Sequence, residues 1–350
     1  MNNLTEILEK KTYSASTPCR IDFAGTLDIP TFNFTMPDLC PVTFNMALNL
    51  RTKVRLLPNK KDYIKVTSKG FDTAEFESRK APYDHPLGLI FAIADSFEAS
   101  GVHIDIDSSS PPRSALGGSS VAAVALCALF MQVLKGPGYK VMAKDAAVSA
   151  QLIESAVAGV PCGLQDHLAA AFGGINAWHW SNVINWPQIK NTSLLRKAEA
   201  SDIMDNFLVA YTGKTHHSHS VNTQWRQQYV RGEFRSHWER ITELSQIFCN
   251  SFIHKDFETL AKIVNEEVSL RREMTPEVLD DSGKLLFETA SEHGCGARFT
   301  GAGGGGCIWA VGRKENIETL KKNWEKHLNS FENGKLLNAQ PDFDGILFDD

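Results

Sequence analysis

Hydrophobic and polar positions follow two different patterns on either side of residue 110. Residues 102–107 alternate between apolar and polar side chains, which is typical of a half-buried strand. Residues 121–134 are almost wholly apolar and rich in Ala, Leu and Val, over a length that predicts a buried helix. The segment between them is therefore predicted to run from the end of a strand into the start of a helix.

The same patterns predict a mixture of strands and helices along the rest of the chain. Strands are predicted at residues 20–24, 42–57, 207–211 and 307–311, with a turn into a strand at 173–180, and helices at 87–99, 151–158, 167–172, 221–248 and 257–272. The elements do not alternate strictly, which favours an α+β architecture built in layers. A length of 350 residues suggests about two domains, and the irregular stretch at 182–202 is the expected place for the change between them.

The composition is that of an ordinary globular protein, with 43% hydrophobic and 22% charged residues. A net charge of −5 argues against a surface whose main partner is nucleic acid. Residues 1–11 are polar and charged, unlike a signal peptide, and no apolar run reaches the length that crosses a membrane. We therefore expect a cytoplasmic protein with neither a nucleic-acid nor a membrane partner.

The cysteines and histidines give no metal motif. The seven cysteines are scattered and form no Cys-x-x-Cys pair, which predicts reduced thiols rather than a disulfide framework or a zinc site. Cys162 is expected to serve packing rather than to act as a nucleophile. Three histidines lie within residues 216–219, but their spacing brings no further ligand, so a polar loop is preferred over a metal site.

The segment between the predicted strand and helix carries the strongest chemical signal. Two glycines, Gly117 and Gly118, and two serines, Ser119 and Ser120, stand where the helix begins. The first backbone N–H groups of a helix have no internal partner and its dipole is positive there, so the segment suits a phosphate group. A serine hydroxyl could also hold a Mg²⁺ ion carried by that phosphate. The alternative is an ordinary helix cap after a Pro-rich turn, which needs one serine and no glycine pair.

A second glycine-rich segment lies at residues 301–306, where five of six residues are glycine and a strand follows. So many glycines cost chain entropy unless the backbone must approach another loop or a phosphate closely. A flexible hairpin turn is the alternative. The segment is not a dinucleotide fingerprint, because no helix follows the glycines.

Four charged residues stand in segments that can carry chemistry. Asp166 lies between a Pro/Gly turn and an apolar helix, and Glu154 lies on the predicted helix before it. Arg20 begins an alternating strand, and Asp28 falls in a turn between glycine and proline. Each also has an ordinary explanation, such as a first-turn helix aspartate or a solvated helix face, and for Asp166 and Glu154 taken alone the ordinary explanation is preferred.

Together and in this order, the four segments resemble the GHMP kinase superfamily of galactokinase, homoserine kinase, mevalonate kinase and phosphomevalonate kinase. The resemblance spans residues 17–311. It implies an α+β GHMP kinase fold with a ribosomal-protein-S5-like N-terminal domain at 1–195 and a ferredoxin-like C-terminal domain at 196–350. It also implies an ATP-dependent phosphotransferase that acts on a small-molecule alcohol and is a monomer or homodimer.

The resemblance further implies where ATP and Mg²⁺ bind. The family's phosphate loop usually reads Pro-x-x-x-Gly-Leu-Gly-Ser-Ser, and here Ala115 replaces the first glycine and Gly118 the first serine. Ser119 and Glu154 match the residues that hold Mg²⁺. The residues expected to contact ATP are Pro112, Ser114, Ala115, Leu116, Gly117, Gly118, Ser119 and Ser120.

On the acceptor side, the resemblance implies that Asp166 orients and deprotonates a hydroxyl, while Arg20 keeps Asp166 ionised and counters charge in the transition state. Asp28 and Gly303 are expected to contact the substrate. Residues 163–174 are similar to heptose 7-phosphate kinases, which predicts an anomeric sugar hydroxyl as acceptor. For an acceptor phosphate, the candidate cations are Lys214, His216, Arg271 and Arg272.

Other functions remain open at this point. A galactokinase-like kinase of a free hexose is the first alternative, since residues 161–163 and 296–301 look more like galactokinase. A non-catalytic sugar or ATP sensor on the same fold is a further alternative, although the presence of Arg20, Glu154 and Asp166 argues against it. A diphosphomevalonate decarboxylase-like enzyme is disfavoured by the sugar-kinase pattern at 165–166 and 211–213.

Overall fold

The computed structural model describes residues 4–136, 138–159, 161–180, 190–214 and 218–349, with the backbone alone for 218–220. Its helices are α1 (Leu4–Lys10), α2 (Pro30–Asn33), α3 (Gly88–Ser96), α4 (Gly118–Lys135), α5 (Ala143–Val157), α6 (Gln165–Phe172), α7 (Ser218–Val230), α8 (Arg235–Ile253), α9 (Phe257–Met274), α10 (Asp281–Glu292) and α11 (Lys314–Leu328). Its strands are β1 (Tyr13–Phe23), β2 (Val42–Pro58), β3 (Tyr63–Ser68), β4 (Ala74–Glu77), β5 (Val102–Ser108), β6 (Ile175–His179), β7 (Lys190–Leu195), β8 (Phe207–Tyr211), β9 (Gly296–Phe299), β10 (Cys307–Val311), β11 (Lys335–Leu336) and β12 (Leu347–Asp349).

The larger sheet is organised around β2. This strand pairs along one edge with β1, and along the other with β6 near its start and β5 near its end. The order β12-β1-β2-β5-β3-β4 continues the sheet, and β7 extends it beside β6. Pairing is antiparallel except between β3 and β5, which run parallel. The helices α4, α5 and α6 pack on this sheet or on one another and carry the residues of the candidate site.

A smaller sheet of order β11-β8-β10-β9 forms the second half of the molecule, with α9, α10 and α11 packed around it. The chain changes sheet between β7 and β8, next to the predicted boundary after residue 195. The last strand departs from that division, because β12 returns to the larger sheet and pairs Ser14 with Asp349. Residues 347–349 therefore complete the architecture of the N-terminal half.

A continuous apolar core joins the two halves. Phe23 of β1 stacks on Phe248 of α8 with ring centroids 4.2 Å apart. The predicted apolar helix is α4, and it lies at the centre of this core. Within the described residues, α4 is long and apolar enough by composition to cross a membrane, but 67% of it is buried inside the protein, as in a core helix.

Two predicted segments differ from the structure. The helix predicted at 221–248 is two helices, α7 and α8, because the chain turns between them with positive φ at Gly232 and Phe234. The stretch at 182–202 was expected to be irregular, yet β7 lies within it and pairs with β6. Within the histidine run, 216 and 217 lie outside the described residues, and the remainder begins α7.

Candidate active site

A cavity of about 1060 Å³ opens where loops from both halves of the molecule meet. Its wall comes from the β1–α2 loop, the β5–α4 loop, the end of α5 and the start of α6. Gly301 and Ala302 from the second glycine-rich segment, Asn222 of α7, and residues from 68–71 and 83–90 also line it. The four segments singled out in the sequence thus converge on one cavity, although 281 positions separate Arg20 from Gly301.

The loop at 109–117 connects β5 to α4, as the hydrophobic pattern predicts, and α4 begins at Gly118. Ala115 and Gly117 adopt left-handed backbone with φ of 61° and 80°. At Ala115 this conformation costs roughly 1–2 kcal/mol, since its Cβ crowds the backbone. Leu116 points its side chain into the core, whereas Pro112, Ser114, Ser119 and Ser120 line the cavity.

The second glycine-rich segment supports this loop from behind. The N–H of Cys307 donates to the carbonyl of Ser114 at 2.9 Å. A Cβ on Gly306 would lie 2.7 Å from that same carbonyl oxygen, so a side chain there would collide with the loop. Gly303 faces Val278 instead, with a hypothetical Cβ 2.4 Å from its carbonyl oxygen. The described cavity wall includes Gly301 and Ala302 but not Gly303, so the predicted substrate contact of Gly303 finds no support.

Arg20 and Asp166 form a salt bridge with two hydrogen bonds at the cavity. Arg20 Nε donates to Asp166 Oδ1 at 2.7 Å and Nη2 donates to Oδ2 at 2.9 Å. Arg20 Nη1 also donates to the carbonyl of Ala115 at 2.9 Å, which ties the pair to the phosphate loop. Burial would lower the pKa of Arg20, but the carboxylates of Asp166 and Asp22 outweigh that effect and raise it. The planar guanidinium thus fixes the Asp166 carboxylate in one orientation.

The Asp166 carboxylate lies close to the predicted phosphate site. A Cβ placed on Gly117 would be 3.5 Å from Asp166 Oδ2. The Asp166 side chain keeps 26% of its surface exposed, whereas that of Arg20 keeps 3%. The carboxylate is therefore held from behind and remains accessible from the cavity, as a group that meets a substrate must be.

Asp28 is a buried carboxyl that holds the start of α6. Its Oδ2 accepts from the N–H of Gln165 at 2.8 Å, and its Oδ1 accepts from the N–H of Thr26 at 3.1 Å. Burial, reinforced by the charge of Asp166, raises the pKa of Asp28 to about 6. Asp28 is 3% exposed, so its contacts are those of a group that positions the helix carrying Asp166. Substrate contact by Asp28 remains a prediction.

Glu154 stands opposite the first turn of α4. Ser119 Oγ donates to Glu154 Oε1 at 2.9 Å, and Ser120 Oγ donates to Oε2 at 2.8 Å. His167 Nε2 lies 2.8 Å from Oε2. Burial would raise the pKa of Glu154, but His167 and the two hydroxyls outweigh it, and the pKa is lowered. Carboxylate and hydroxyl oxygens beside a phosphate loop are ligands that Mg²⁺ prefers, so Glu154 and Ser119 fit the ion that the sequence predicts.

A buried cluster of charges behind the site is absent from the sequence predictions. Asp22 lies 3.5 Å from Arg20 and 3.2 Å from Arg298, and accepts from the N–H of Gly301 at 2.8 Å. Glu267 accepts from Arg298 at 2.9 Å and from Arg271 at 2.9 Å. Asp22 and Arg20 are two residues apart on β1 and so share a face of the strand, a signal that could have suggested this pairing.

The cations expected to meet an acceptor phosphate do not gather at the cavity. Arg271 is fully buried, donates to the carbonyl of Gly25 at 2.8 Å and lies within 4.7 Å of the ring centroids of Trp225 and Trp238. Lys214 pairs with Asp280 at 3.3 Å, and Arg272 lies over the ring of Phe287. None of these three lines the described cavity wall, and position 216 lies outside the described residues.

Comparisons with known proteins agree with this geometry. Residues 85–174 match the family described as GHMP kinases N terminal domain, and residues 250–330 match GHMP kinases C terminal. Mevalonate kinase of Pyrococcus horikoshii is 24% identical over 310 residues, which cover 79% of this chain and 84% of that protein. D-glycero-alpha-D-manno-heptose 7-phosphate kinase of Campylobacter jejuni is 25% identical over 201 residues, which cover 57% of this chain and 58% of that protein.

Among solved structures, the fold is similar to that of Lactococcus lactis galactokinase complexed with galactose. The TM-score is 0.73 at 16% identity, and the match covers 98% of this chain and 97% of the galactokinase chain. Fold and family matches together define an ATP-dependent phosphotransferase. The chain belongs to the GHMP kinases and carries both domains of that family. These findings confirm the predicted family, the α+β fold and the enzyme class.

Proposed function

We propose that this kinase transfers the γ-phosphoryl group of ATP to a hydroxyl of a sugar or sugar phosphate, at the anomeric position. The observation that supports the proposal most directly is the position of the Asp166 carboxylate. Arg20 fixes it with two hydrogen bonds, and its Oδ2 lies 3.5 Å from a Cβ placed on Gly117 of the phosphate loop. A carboxylate held beside a phosphate loop can receive a hydroxyl proton as the phosphoryl group arrives. Phosphoryl transfer requires mainly this kind of positioning and charge neutralisation.

The donor side of the reaction depends on the phosphate loop. ATP would place its β- and γ-phosphates against the backbone N–H groups at the start of α4, where the helix dipole favours negative charge. Glu154 and Ser119 would hold Mg²⁺, which supplies positive charge to the phosphate oxygens when bound. The left-handed turn at Ala115 and Gly117 shapes the loop for this role.

The acceptor side depends on Asp166 and Arg20. Asp166 would accept a hydrogen bond from the acceptor hydroxyl and then its proton, while the oxygen forms its bond to phosphorus and the bond to ADP breaks. Arg20 would stay protonated throughout, since its pKa is raised, and would stabilise negative charge as it develops. An anomeric hydroxyl is more acidic than an ordinary alcohol and suits a carboxylate base.

A heptose 7-phosphate is the first acceptor to consider. Support comes from the similarity to the heptose 7-phosphate kinase of Campylobacter jejuni and from the matching pattern at residues 163–174. The cavity volume of about 1060 Å³ accommodates both ATP and a seven-carbon sugar.

A free hexose is the second acceptor, and one observation favours it. The described cavity wall includes Arg20, Lys69 and Arg113, and of these Arg20 is already paired with Asp166. Within that described wall, the residues from the β1–α2 loop and α7 include no lysine or arginine. A phosphate on the acceptor would call for a cation in that region. The galactose-bound structure with the same fold is consistent with this second choice.

The decisive experiment measures ADP release with Mg-ATP across sedoheptulose 7-phosphate, D-glycero-D-manno-heptose 7-phosphate, galactose, other free hexoses, homoserine and mevalonate. We expect turnover with a sugar or sugar phosphate. The Asp166→Asn variant is the control for ATP hydrolysis that does not depend on the acceptor. Preference for a phosphorylated heptose or a free hexose chooses between the two candidates. Turnover with mevalonate or homoserine alone would overturn the sugar assignment, and intact ATP binding without turnover on any acceptor would favour a sensor.

A further inference from the structure

Three side chains with metal-binding atoms meet behind the phosphate loop. Glu154 comes from α5, Cys162 from the turn that follows it, and His167 from the first turn of α6. One ligand atom from each lies within 4.8 Å of the other two. The three residues come from separate elements, which is why no zinc motif was visible in the sequence spacing.

His167 distinguishes this cluster from an ordinary ion pair. Its side chain is 0% exposed; Nε2 lies 2.8 Å from Glu154 Oε2, and within the described part of the chain Nδ1 has no hydrogen-bond partner. A buried polar group left without a hydrogen bond costs about 1–3 kcal/mol, so such a group is expected to have a partner or a function. The cavity reaches all three residues and provides a route for an ion.

We propose that Glu154, Cys162 and His167 bind a thiophilic divalent metal ion such as Zn²⁺, and that this ion inhibits the kinase by withdrawing Glu154 from Ser119 and Ser120. Imidazole, thiolate and carboxylate are the three ligand types that Zn²⁺ takes in proteins, with a fourth position open to water. Zinc–ligand bonds of about 2.0–2.3 Å place ligand atoms roughly 3.3–3.8 Å apart in a tetrahedron, so atoms that already lie within 4.8 Å of one another need only small shifts to bind the ion.

The ligand set discriminates against Mg²⁺, which prefers six oxygen ligands and keeps several waters. Sharing Glu154 makes the two ions competitors. Burial raises the pKa of the Cys162 thiol, and the neighbouring Glu154 carboxylate adds to the effect. Zinc binding therefore releases the thiol proton to solvent and tightens as pH rises. The inhibitory part of the proposal rests on the proposed kinase function, whereas the binding part does not.

The binding test is equilibrium dialysis of the full chain against Zn²⁺ in a competing chelator buffer, followed by metal analysis. One ion per chain is expected, with at least about a tenfold loss of affinity in Cys162→Ser and in His167→Gln. Cys40→Ser is the matched control, because Cys40 is an exposed thiol outside the cavity. Co²⁺ gives a second readout, a thiolate charge-transfer band that Cys162→Ser removes and Cys40→Ser retains.

Wild-type affinity in both cluster variants would overturn the proposal, since Zn²⁺ would then be held elsewhere. Cys162→Ser replaces one atom and keeps the size of the side chain, so it remains informative if His167→Gln fails to fold. In the activity arm, Zn²⁺ should inhibit the wild-type enzyme at lower concentration than Cys162→Ser by the same factor as the loss of affinity. If no acceptor in the panel supports turnover, the dialysis and Co²⁺ results still decide the binding site.

Discussion

Two groups of arginines and carboxylates lie side by side in this kinase and use nearly identical bonds. At the cavity, Arg20 holds Asp166 through bonds of 2.7 and 2.9 Å. Behind it, Arg298 and Arg271 each hold Glu267 at 2.9 Å. They differ in access to water: the Asp166 side chain is 26% exposed, whereas those of Glu267 and both arginines are 0% exposed.

The difference shows that burial, and not bond geometry, separates the two roles. We call Glu267, Arg271 and Arg298 the sealed group. Each of its charges is neutralised by a fixed neighbour, and removing one charged side chain leaves the others unpaired in an interior without water. We call Arg20 and Asp166 the open group. Here the Asp166 carboxylate remains accessible from the cavity, where a substrate can bind. Asp22 contacts both Arg20 and Arg298, so the sealed group anchors the open one.

The largest expected effect comes from the open group. Asp166→Asn keeps the size of the side chain but removes the base, so kcat should fall by roughly 10²–10⁴-fold. ATP binding should change far less, because the phosphate loop is untouched. Steady-state kinetics and ATP titration measure the two effects. Asp145→Asn, a first-turn acid of α5, is the matched control, and an Asp166→Asn enzyme with wild-type kcat would remove Asp166 from the chemistry.

The next effect belongs to the sealed group. Glu267→Ala leaves Arg271 and Arg298 without their shared carboxylate, and the free energy of unfolding should fall by about 3–5 kcal/mol. Chemical denaturation measures it. The neighbouring Glu266→Ala breaks an exposed pair with Arg240 and should cost no more than about 1 kcal/mol. Equal losses in the two variants would contradict the contrast between sealed and exposed pairs.

Asp28 is a buried carboxyl that feels the charges of Asp166 and Asp22, and it makes stability depend on pH. Its pKa is raised to about 6 in the folded chain, against about 3.9 for an unfolded aspartate. Between these values the unfolded chain has lost a proton that the folded chain keeps, so the free energy of unfolding falls as pH rises, by up to about 3 kcal/mol, and levels off above pH 6.

The test for Asp28 compares unfolding free energies from pH 4 to 7. The decrease in the free energy of unfolding that Asp28 causes should be absent in Asp28→Asn. The exposed Asp38 is the control, and Asp38→Asn should keep the wild-type profile. Parallel profiles for the wild type and Asp28→Asn would mean that Asp28 titrates normally.

The smallest effect concerns the packing that supports the phosphate loop. Gly304 and Gly306 both have positive φ, 77° and 86°, but a Cβ would meet its nearest neighbour at 3.9 Å on Gly304 and at 2.7 Å on Gly306. Gly304→Ala should cost about 1 kcal/mol from backbone strain alone. Gly306→Ala should cost more and also raise the KM for ATP. The same stability and KM in both variants would show that contact with Ser114 is unimportant.

The sequence predicted those parts of the molecule that local patterns determine. The turn from β5 into α4 follows from the change in hydrophobic period at residues 102–134, and the glycines at 301–306 indicated a close approach of backbones. Only the resemblance to a family predicted that Arg20 and Asp166, which are 146 positions apart, act together. Local patterns alone favoured an ordinary helix-start aspartate for Asp166.

The sealed group could not be predicted, because ion pairing between distant residues leaves no local pattern. Glu267 and Arg298 look like solvated charges in the sequence, and Arg271 was mistaken for a phosphate-binding candidate. Only the packing of α9 against β9, with Arg298 reaching Asp22 of β1, reveals that all three side chains are buried away from water. Asp28 shows the same limit, because its place in a turn between glycine and proline does not reveal that it accepts from the N–H of Gln165, 137 positions away.

The return of β12 to the edge of β1 sets an order of events during synthesis. Residues 14–16 are synthesised more than 300 residues before their partners at 347–349. Until then that edge of β1 presents unpaired backbone groups, which are a template for pairing with other chains. The nascent chain thus carries an aggregation-prone sheet edge during the synthesis of the residues between β1 and β12, and β12 covers that edge once it has emerged.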